Sequence, residues 1–215
     1  MTDSDQQTTT KPLYERPVIV RHESGMTNKV GQARAIKPTR EVAGLPVDDL
    51  VEEYGSPLFV FSEETIVDRY REMYEAFTRR YPSVRMAWSY KTNYLGAICQ
   101  VFHKEGAWAE VVSEFEWEKA VDLGVNPDRI HFNGPFKSES VLERVLPEET
   151  IIHIDHFDEL AAAERVAEKL GLRPRVAIRL NFTAPGTPNW TRFGFNVESG
   201  QARDAVKRII AGDQL

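Results

Sequence analysis

The segment Val84-Arg-Met-Ala-Trp-Ser-Tyr-Lys91-Thr-Asn93 is an apolar run that carries a lysine near its C-terminal end. Such a run predicts a short buried strand that ends in a turn. A cation at that point lies at the mouth of a sheet or barrel, where a desolvated lysine loses its proton and becomes nucleophilic. The alternative is that Lys91 only extends its charged end into water from the sheet edge, as long cationic side chains usually do.

The same pattern recurs along the chain, because four more apolar runs follow and each leads into a segment with helical periodicity. The runs start at about residues 84, 109, 129, 150 and 175. Strands that alternate with amphipathic helices at intervals of about 20 to 25 residues predict βα units with parallel strands. A Rossmann sheet is disfavoured, because the first βα turn lacks the G-x-G-x-x-G pattern that brings a backbone against a pyrophosphate. We therefore predict an α/β fold, a partial (β/α)8 barrel of the TIM type with about five βα units.

Polar residues occur at the predicted C-terminal ends of these strands, which is the end of a barrel where the chemistry lies. We expect their side chains to converge on one face. No spacing of histidines suggests a metal site, and we interpret His131, His153 and His156 as core or loop residues. The strand-end residues are Lys91, Asn93, Glu110, Ser113, Asn133, Asp155, Arg179 and Asn181.

Composition and charge narrow the class of protein. The 215 residues carry a net charge of −6, so there is no basic surface typical of nucleic-acid binding. No segment approaches the roughly 20 apolar residues that span a bilayer, and the polar N-terminus does not have the pattern of a signal peptide. The single cysteine, Cys99, is consistent with a reducing compartment. We predict a cytoplasmic protein with a small-molecule substrate and with neither a membrane nor a nucleic-acid partner.

The N-terminal region differs from the rest of the chain. Residues 1–42 lack helical periodicity, so we predict a disordered or extended arm. A short helix at Val47–Tyr54, a β-type run at residues 57–61 and a long helix that begins after Ser62 are predicted to follow. Residues 43–215 are interpreted as the N-terminal part of a barrel domain. Because five strands do not close a barrel of eight, we expect the remaining strands to be missing from this chain.

Seven short segments, each weak alone, occur in an order and spacing that resemble one known family. By them the chain resembles the fold-type III pyridoxal-phosphate-dependent decarboxylases, which include the ornithine, arginine and diaminopimelate decarboxylases. It is similar to their alanine racemase-like N-terminal barrel, and most of all to that of the diaminopimelate type. The segments are Tyr54-Gly-Ser-Pro-Leu-Phe-Val-Phe-Ser62, Ser89-Tyr-Lys-Thr-Asn93, Ala109-Glu-Val-Val-Ser-Glu-Phe-Glu116, Phe132-Asn-Gly-Pro-Phe-Lys-Ser138, Asp155 with Glu159-Leu160, Arg179-Leu-Asn181 and Arg192-Phe-Gly194.

The resemblance implies pyridoxal 5'-phosphate as the cofactor and gives roles to several residues. Lys91 would be the catalytic lysine that bonds to the cofactor's aldehyde. Glu110, at a position where the family usually has aspartate, would supply negative charge beside the cofactor. Arg179 would bind anionic groups in the same pocket. From the sequence alone, Glu110 is equally well explained as an exposed acid at a strand end, and Arg179 as half of an ion pair.

Two further cofactor-site candidates, Ser113 and Glu116, have a second interpretation. Their spacing, Ser-x-x-Glu before an apolar run, is also that of a capping box at a helix N-terminus. The two roles are compatible. The sequence leaves open whether these residues only cap the helix or also contact the cofactor.

The resemblance implies a pyridoxal-phosphate-dependent carboxy-lyase that acts on a small amino acid, as in lysine biosynthesis. It also implies that the family's C-terminal β domain is missing from this chain, and that a full-length protein would be a homodimer. We expect the 215-residue chain to be inactive alone and to need a C-terminal partner chain. Two alternatives stay open, a pyridoxal-phosphate-dependent amino-acid racemase and a non-catalytic protein of pyridoxal-phosphate homeostasis.

Overall fold

The computed structural model of the chain describes residues 38–186 and 192–215. The chain divides into two compact units, the first ending at Val60 and the second beginning at Phe61. In the first unit an antiparallel hairpin precedes a helix, which confirms the short helix predicted there. Strand β1 is Glu41–Val42, β2 is Leu45–Pro46 and helix α1 is Val47–Tyr54.

The second unit is built on a parallel sheet of five strands, and their order in the sheet is their order in the chain. Each strand lies within an apolar run identified from the sequence, so the prediction of five βα units is confirmed. The first strand is shorter than the run that predicted it. The strands are β3 (Ala87–Ser89), β4 (Trp108–Val111), β5 (Ile130–Phe132), β6 (Ile151–Ile154) and β7 (Val176–Ile178).

Helices precede, connect and follow these strands. Three of them begin at a serine whose hydroxyl accepts a hydrogen bond from a backbone N–H three residues later, which satisfies a donor that the helix leaves free. A short parallel pair of strands, β8 (Leu180–Asn181) and β9 (Phe195–Asn196), follows β7. The helices are α2 (Glu63–Thr78), α3 (Gly96–Lys104), α4 (Glu114–Asp122), α5 (Glu139–Val145), α6 (Phe157–Leu170) and α7 (Gln201–Ala211).

The two faces of the five-stranded sheet differ, because side chains alternate along each strand. The face toward the helices is the core, and its side chains are almost fully buried: Ala109, Val111, Ile130, Phe132, Ile152 and Ile154. The opposite face, which we call the second face, is polar and partly exposed near the C-terminal ends of the strands. It carries Ser89, Trp108, Glu110, His131, Ile151 and His153, and continues into Asp155 and Arg179 just beyond β6 and β7.

The prediction of a β-type run at residues 57–61 is wrong, because these residues belong to no strand of the described chain. A continuous apolar run forms a strand only where a neighbouring strand supplies its hydrogen bonds. Residues 1–37 of the predicted arm lie outside the described residues, so the boundary after residue 42 stays a prediction. Among the described helices, none has both the length and the apolar character needed to cross a membrane.

Candidate functional site

Lys91 lies in the turn that directly follows β3. The Tyr90 N–H donates to the Glu110 carbonyl oxygen at 2.9 Å, and the Thr92 N–H donates to the Ser89 carbonyl oxygen at 3.1 Å. The side chain of Lys91 is exposed. The described residues therefore do not desolvate its amine as we expected from the sequence, but they leave it accessible to a ligand.

The far end of this turn is fixed by Asn93. Its carbonyl oxygen accepts the indole N–H of Trp88 at 3.0 Å and the thiol of Cys99 at 3.7 Å. Its side-chain oxygen accepts the Leu95 N–H at 3.0 Å, just before α3 begins. The sequence identified Asn93 only as a polar residue near a strand end. Its contacts make it the residue that joins the Lys91 turn to the next helix.

The near end of the turn is held by Tyr90, whose side chain is fully buried. Its hydroxyl lies 2.8 Å from His103 Nε2, while His103 Nδ1 lies 2.8 Å from the Ala107 carbonyl oxygen. A carbonyl oxygen only accepts, so Nδ1 carries the proton. Burial lowers the pKa of His103, which favours the neutral ring, and Nε2 then accepts from Tyr90. Because Tyr90 is anchored on the helix side, the next residue, Lys91, is directed away from the core.

Glu110 lies on the second face near the C-terminal end of β4. The Ser89 hydroxyl donates to Glu110 Oε2, and the Asn133 amide donates to Glu110 Oε1 at 3.2 Å. Ser89 and Glu110 are register partners in the sheet. The Glu110 carboxylate is therefore held by the strands on both sides of it, one strand away from the turn that carries Lys91.

Ser113 and Glu116 form the cap of α4. The Ser113 hydroxyl accepts the Glu116 N–H at 3.3 Å, and Glu116 Oε2 accepts the Val112 N–H at 2.8 Å. The Glu116 side chain is buried by this arrangement. The capping role is thus present in the structure, while contact of either residue with a cofactor stays a prediction.

Arg179 follows β7 on the second face and pairs with Asp155. Arg179 Nη1 lies 3.3 Å from Asp155 Oδ1, and the Arg179 side chain is 33% exposed. Its guanidinium also lies over the ring of Phe193, 4.7 Å from the ring centre. Gly194 has a φ of +83°, and a side chain there would lie 2.8 Å from the Arg179 carbonyl oxygen. The glycine of the Arg192-Phe-Gly194 segment therefore allows this close approach of backbone to Arg179.

Two histidines that the sequence suggested were core or loop residues form a pair on the second face. His131 Nδ1 lies 2.9 Å from His153 Nε2, so one ring donates and the other accepts. Burial lowers the pKa of His131 and lowers that of His153 to about 4. The pair is therefore neutral near pH 7. The carboxylate of Glu110 partly opposes the lowering of both pKa values.

The structure also contains a buried ion pair that the sequence interpretation missed. Lys137 Nζ lies 2.9 Å from Glu159 Oε1, and both side chains are almost completely buried. Both residues belong to segments used for the family resemblance, but neither was assigned a role. Nothing in the local pattern of charge indicated burial, because a lysine three residues after a glycine in a loop usually lies in solvent.

The site residues predicted from the sequence fall into two groups. Lys91, Glu110 and Arg179 lie at or just beyond the C-terminal ends of β3, β4 and β7, and the last two are held on the second face by hydrogen bonds. Ser113 and Glu116 lie in the β4–α4 turn and bond to backbone. The first group offers an accessible amine, a fixed carboxylate and a partly exposed guanidinium at one end of the sheet.

Comparison with known proteins gives a consistent result. Residues 64–215 match the family described as "Pyridoxal-dependent decarboxylase, pyridoxal binding domain". The diaminopimelate decarboxylase of Methanocaldococcus jannaschii is 32% identical over 182 residues, which are 79% of this chain and 42% of that protein. The diaminopimelate decarboxylase of Bacillus subtilis is 28% identical over 187 residues, or 81% of this chain and 42% of that protein.

Solved structures agree with the sequence relatives. The diaminopimelate decarboxylase of M. jannaschii, crystallised with L-lysine, superposes with a TM-score of 0.74 at 29% identity over 81% of this chain and 43% of that one. The prediction of a partial barrel is therefore confirmed. The chain spans about two fifths of the length of the relatives that it matches.

The donor set at the C-terminal ends of the strands fits the cofactor that this family binds. A primary amine reacts with the aldehyde of pyridoxal phosphate, a carboxylate offsets positive charge, and a guanidinium binds anionic groups. Lys91, Glu110 and Arg179 supply these three groups. With the family match over residues 64–215, this chain belongs to the pyridoxal-binding domain family of the pyridoxal-dependent decarboxylases.

Proposed function

We propose that this chain provides the cofactor-binding half of a pyridoxal-phosphate-dependent amino-acid decarboxylase of the diaminopimelate type. The observation that carries the proposal is the position of Lys91. Its exposed amine lies in the turn after β3. The last residue of β3, Ser89, is the register partner of Glu110, whose carboxylate is held by Ser89 and Asn133. An accessible amine at the end of one strand and a held carboxylate near the end of the next strand are the two groups that bonding to an aldehyde and balancing its positive charge require.

Bound pyridoxal phosphate supplies the electron sink for the electron pair that remains when an amino acid loses its carboxylate as carbon dioxide. Lys91 would hold the cofactor through a covalent bond from Nζ to its aldehyde carbon, and the substrate amine would compete for the same position. As a free amine Lys91 holds or releases a proton at Nζ. Glu110 would offset positive charge on the bound cofactor, because hydrogen bonds from Ser89 and Asn133 hold its carboxylate.

Arg179 would bind anionic groups of the cofactor or substrate. Its contact with Asp155 uses one of the five N–H groups of the guanidinium, and about a third of its side chain is exposed. Asp155 would then act as the support that sets the direction of this cation. Contacts of Ser113 and Glu116 with the cofactor belong to the same proposal, and their support is limited to their position in the β4–α4 turn.

The test is covalent trapping of the cofactor. The 215-residue chain is incubated with pyridoxal phosphate, reduced with borohydride, digested and mapped by mass spectrometry. We expect the label on Lys91, and we expect Lys91→Ala to lose it. The control is Lys104→Ala, because Lys104 is an exposed lysine at the end of α3. Label on Lys104, Lys119 or Lys137 in place of Lys91 would contradict the assignment.

The substrate is proposed from the relatives, which are diaminopimelate decarboxylases, one of them solved with L-lysine. We infer that diaminopimelate loses one carboxylate as carbon dioxide to give lysine. To test this specificity, carbon dioxide release is measured with diaminopimelate, ornithine and arginine. We expect release from diaminopimelate and not from the other two. Conversion of one stereoisomer of an amino acid into the other without carbon dioxide would favour the racemase alternative.

The partner and location predictions have separate tests. The homodimer and the C-terminal partner chain stay predictions. Adding the C-terminal region of the M. jannaschii relative as a separate chain should raise carbon dioxide release if such a partner is needed, and sedimentation would report the oligomeric state. The cytoplasmic location rests on the single cysteine, and fractionation of cells would check it.

A further inference from the structure

Lys137 is the most completely buried lysine side chain among the described ion pairs. Its Nζ donates to the carbonyl oxygen of Gly134 at 2.6 Å and to that of His153 at 2.9 Å, and it pairs with Glu159 at 2.9 Å. The two carbonyl oxygens accept two of the three N–H donors of the ammonium, and Glu159 Oε1 lies at ion-pair distance without a hydrogen bond of its own. Burial lowers the pKa of Lys137, and the carboxylates of Glu159 and Asp155 oppose that shift.

The contacts of Lys137 lead in one direction to Arg179. Glu159 Oε2, the oxygen that does not face Lys137, accepts the backbone N–H of Asp155 at 2.7 Å. The Asp155 carboxylate in turn bonds to Arg179 Nη1 at 3.3 Å. One buried ion pair therefore fixes the residue that supports the guanidinium at the site.

The contacts lead in the other direction to Glu110. By bonding to the Gly134 carbonyl, Lys137 closes the loop between β5 and α5 on itself, and Asn133, which donates to Glu110 Oε1, lies at the start of that loop. This loop also packs closely on the preceding βα turn, since a side chain at Gly134 would lie 2.2 Å from the Val112 carbonyl oxygen. The position of Asn133 is thus set by backbone contacts and by Lys137.

We propose that Lys137 is a positioning residue of the pyridoxal-phosphate site, acting through Asn133 on Glu110 and through Glu159 and Asp155 on Arg179. This inference rests on the proposed function, because it assigns an effect on binding of that cofactor. Lys137 does not react with the aldehyde itself, because its side chain is fully enclosed. Among the lysines that the structure describes, Lys137 alone is buried, and its contacts lead to two site residues.

The experiment uses the 215-residue chain and measures the pyridoxal phosphate concentration that gives half-maximal labelling of Lys91 before reduction. Lys137→Met keeps the length of the side chain and removes its donors. We expect it to raise this concentration by between about 10-fold and 100-fold, because small displacements of binding groups have effects of this size. A second readout, exchange of the Asp155 amide hydrogen, should become faster, since Glu159 loses the partner that holds it.

Two further variants separate positioning from folding. Lys137→Met combined with Glu159→Gln leaves no charge buried alone, and glutamine still accepts the Asp155 N–H. This double variant should regain stability but keep the weaker labelling, since the bonds to Gly134 and His153 remain lost. Lys169→Met is the matched control, because Lys169 pairs with Glu143 on the exposed side of the same two helices. Lys91 in this control variant should be labelled at the same pyridoxal phosphate concentration as in the unchanged chain.

Each outcome has a definite meaning. Failure of the unchanged chain to take label on Lys91, both alone and with the C-terminal partner chain added, overturns the proposed function and this inference with it. Normal labelling of the unchanged chain and of the double variant at the same concentration overturns the inference alone. A double variant that does not fold would show that the pair serves the fold, and would also overturn the assignment. Weaker labelling by a stable double variant, with the control unaffected, supports it.

Discussion

Two lysine–glutamate pairs join the same neighbouring βα units in opposite settings. Lys137 and Glu159 lie at the C-terminal ends of the strands, before α5 and in the first turn of α6, and their side chains are 0% and 2% exposed. Lys169 and Glu143 join the two helices themselves, and their side chains are 62% and 37% exposed. The distances are similar, 2.9 Å and 2.6 Å. Distance is therefore no guide to what each pair contributes.

The difference lies in what happens when one partner is removed. Water solvates a carboxylate left alone at the surface, so an exposed pair contributes little. A carboxylate left alone in the interior keeps its charge without a partner, at a cost of several kcal/mol. Three other pairs near the surface also join neighbouring helices: Arg71–Glu105 joins α2 to the end of α3, Arg144–Glu118 joins α4 to α5, and Arg208–Glu164 joins α6 to α7.

The largest expected effect is that of Lys137→Met. Removing the lysine leaves Glu159 buried without a cation and leaves two carbonyl oxygens without their donor, so we expect the free energy of unfolding to fall by about 3–5 kcal/mol. Urea unfolding followed by tryptophan fluorescence measures the change. A loss below about 1 kcal/mol would remove the distinction between the two pairs.

The next effect extends the comparison to the buried histidines. The pKa of His153 in the folded chain is about 4, below the ordinary value near 6.5. Between pH 4 and pH 6.5 the unfolded chain therefore binds a proton at this histidine, and the folded chain does not. The free energy of unfolding should therefore fall as the pH drops from about 6.5 to about 4, by about 2 kcal/mol. In the control variant, His153→Asn, this part of the fall in the free energy of unfolding at low pH should disappear. An identical pH profile for the variant would contradict the prediction.

A smaller effect is expected at Glu116, which is buried like Glu159 but makes no ion pair within the described residues. Both carboxylates accept a backbone N–H, from Val112 and Asp155 respectively. Glutamine keeps that acceptor, so Glu116→Gln should lower the free energy of unfolding by about 1 kcal/mol. Glu159→Gln, which leaves Lys137 charged and alone, is the comparison variant. Equal losses for the two in urea unfolding would show that the lysine does not matter.

The smallest expected effect is that of Lys169→Met. An exposed pair between helices contributes about 0.5 kcal/mol, and salt screens it. We expect the variant and the unchanged chain to become indistinguishable in urea unfolding at about 1 M salt. A difference that persists at high salt would mean that Lys169 stabilises by packing its aliphatic stem and not by its charge.

Much of the fold could be predicted from the sequence because its signals are local. The apolar runs that became β4, β5 and β6, and serine or glycine at helix ends such as Ser62 and Gly171, act within a few residues. The run at 57–61 failed for the opposite reason. A strand needs a partner from elsewhere in the chain, and no local pattern states whether one is present.

In the candidate site, too, features set by local sequence could be predicted and features set by distant residues could not. The positions of Glu110 and Arg179 could be predicted, because both lie near the C-terminal ends of strands and those ends can be located from the local sequence. In a parallel sheet these ends lie at the same edge. Burial of Lys137 could not be predicted, because it depends on Glu159, which is 22 positions away, and on a carbonyl of β6. The exposure of Lys91 likewise depends on what surrounds the turn and not on the turn itself.

The order of the strands has a consequence for how the domain is made. Each strand pairs with the one synthesised next, through register partners such as Ala87 with Trp108 and Ile152 with Val176. No strand of this sheet waits for a distant part of the chain. At roughly 5–20 residues per second, a ribosome delivers each new strand to its partner within about 1 to 5 s. Parallel pairing across a helical crossover is slower than hairpin formation, but the earlier partner of each strand is already synthesised, so the sheet can grow one strand at a time while the protein is still being translated.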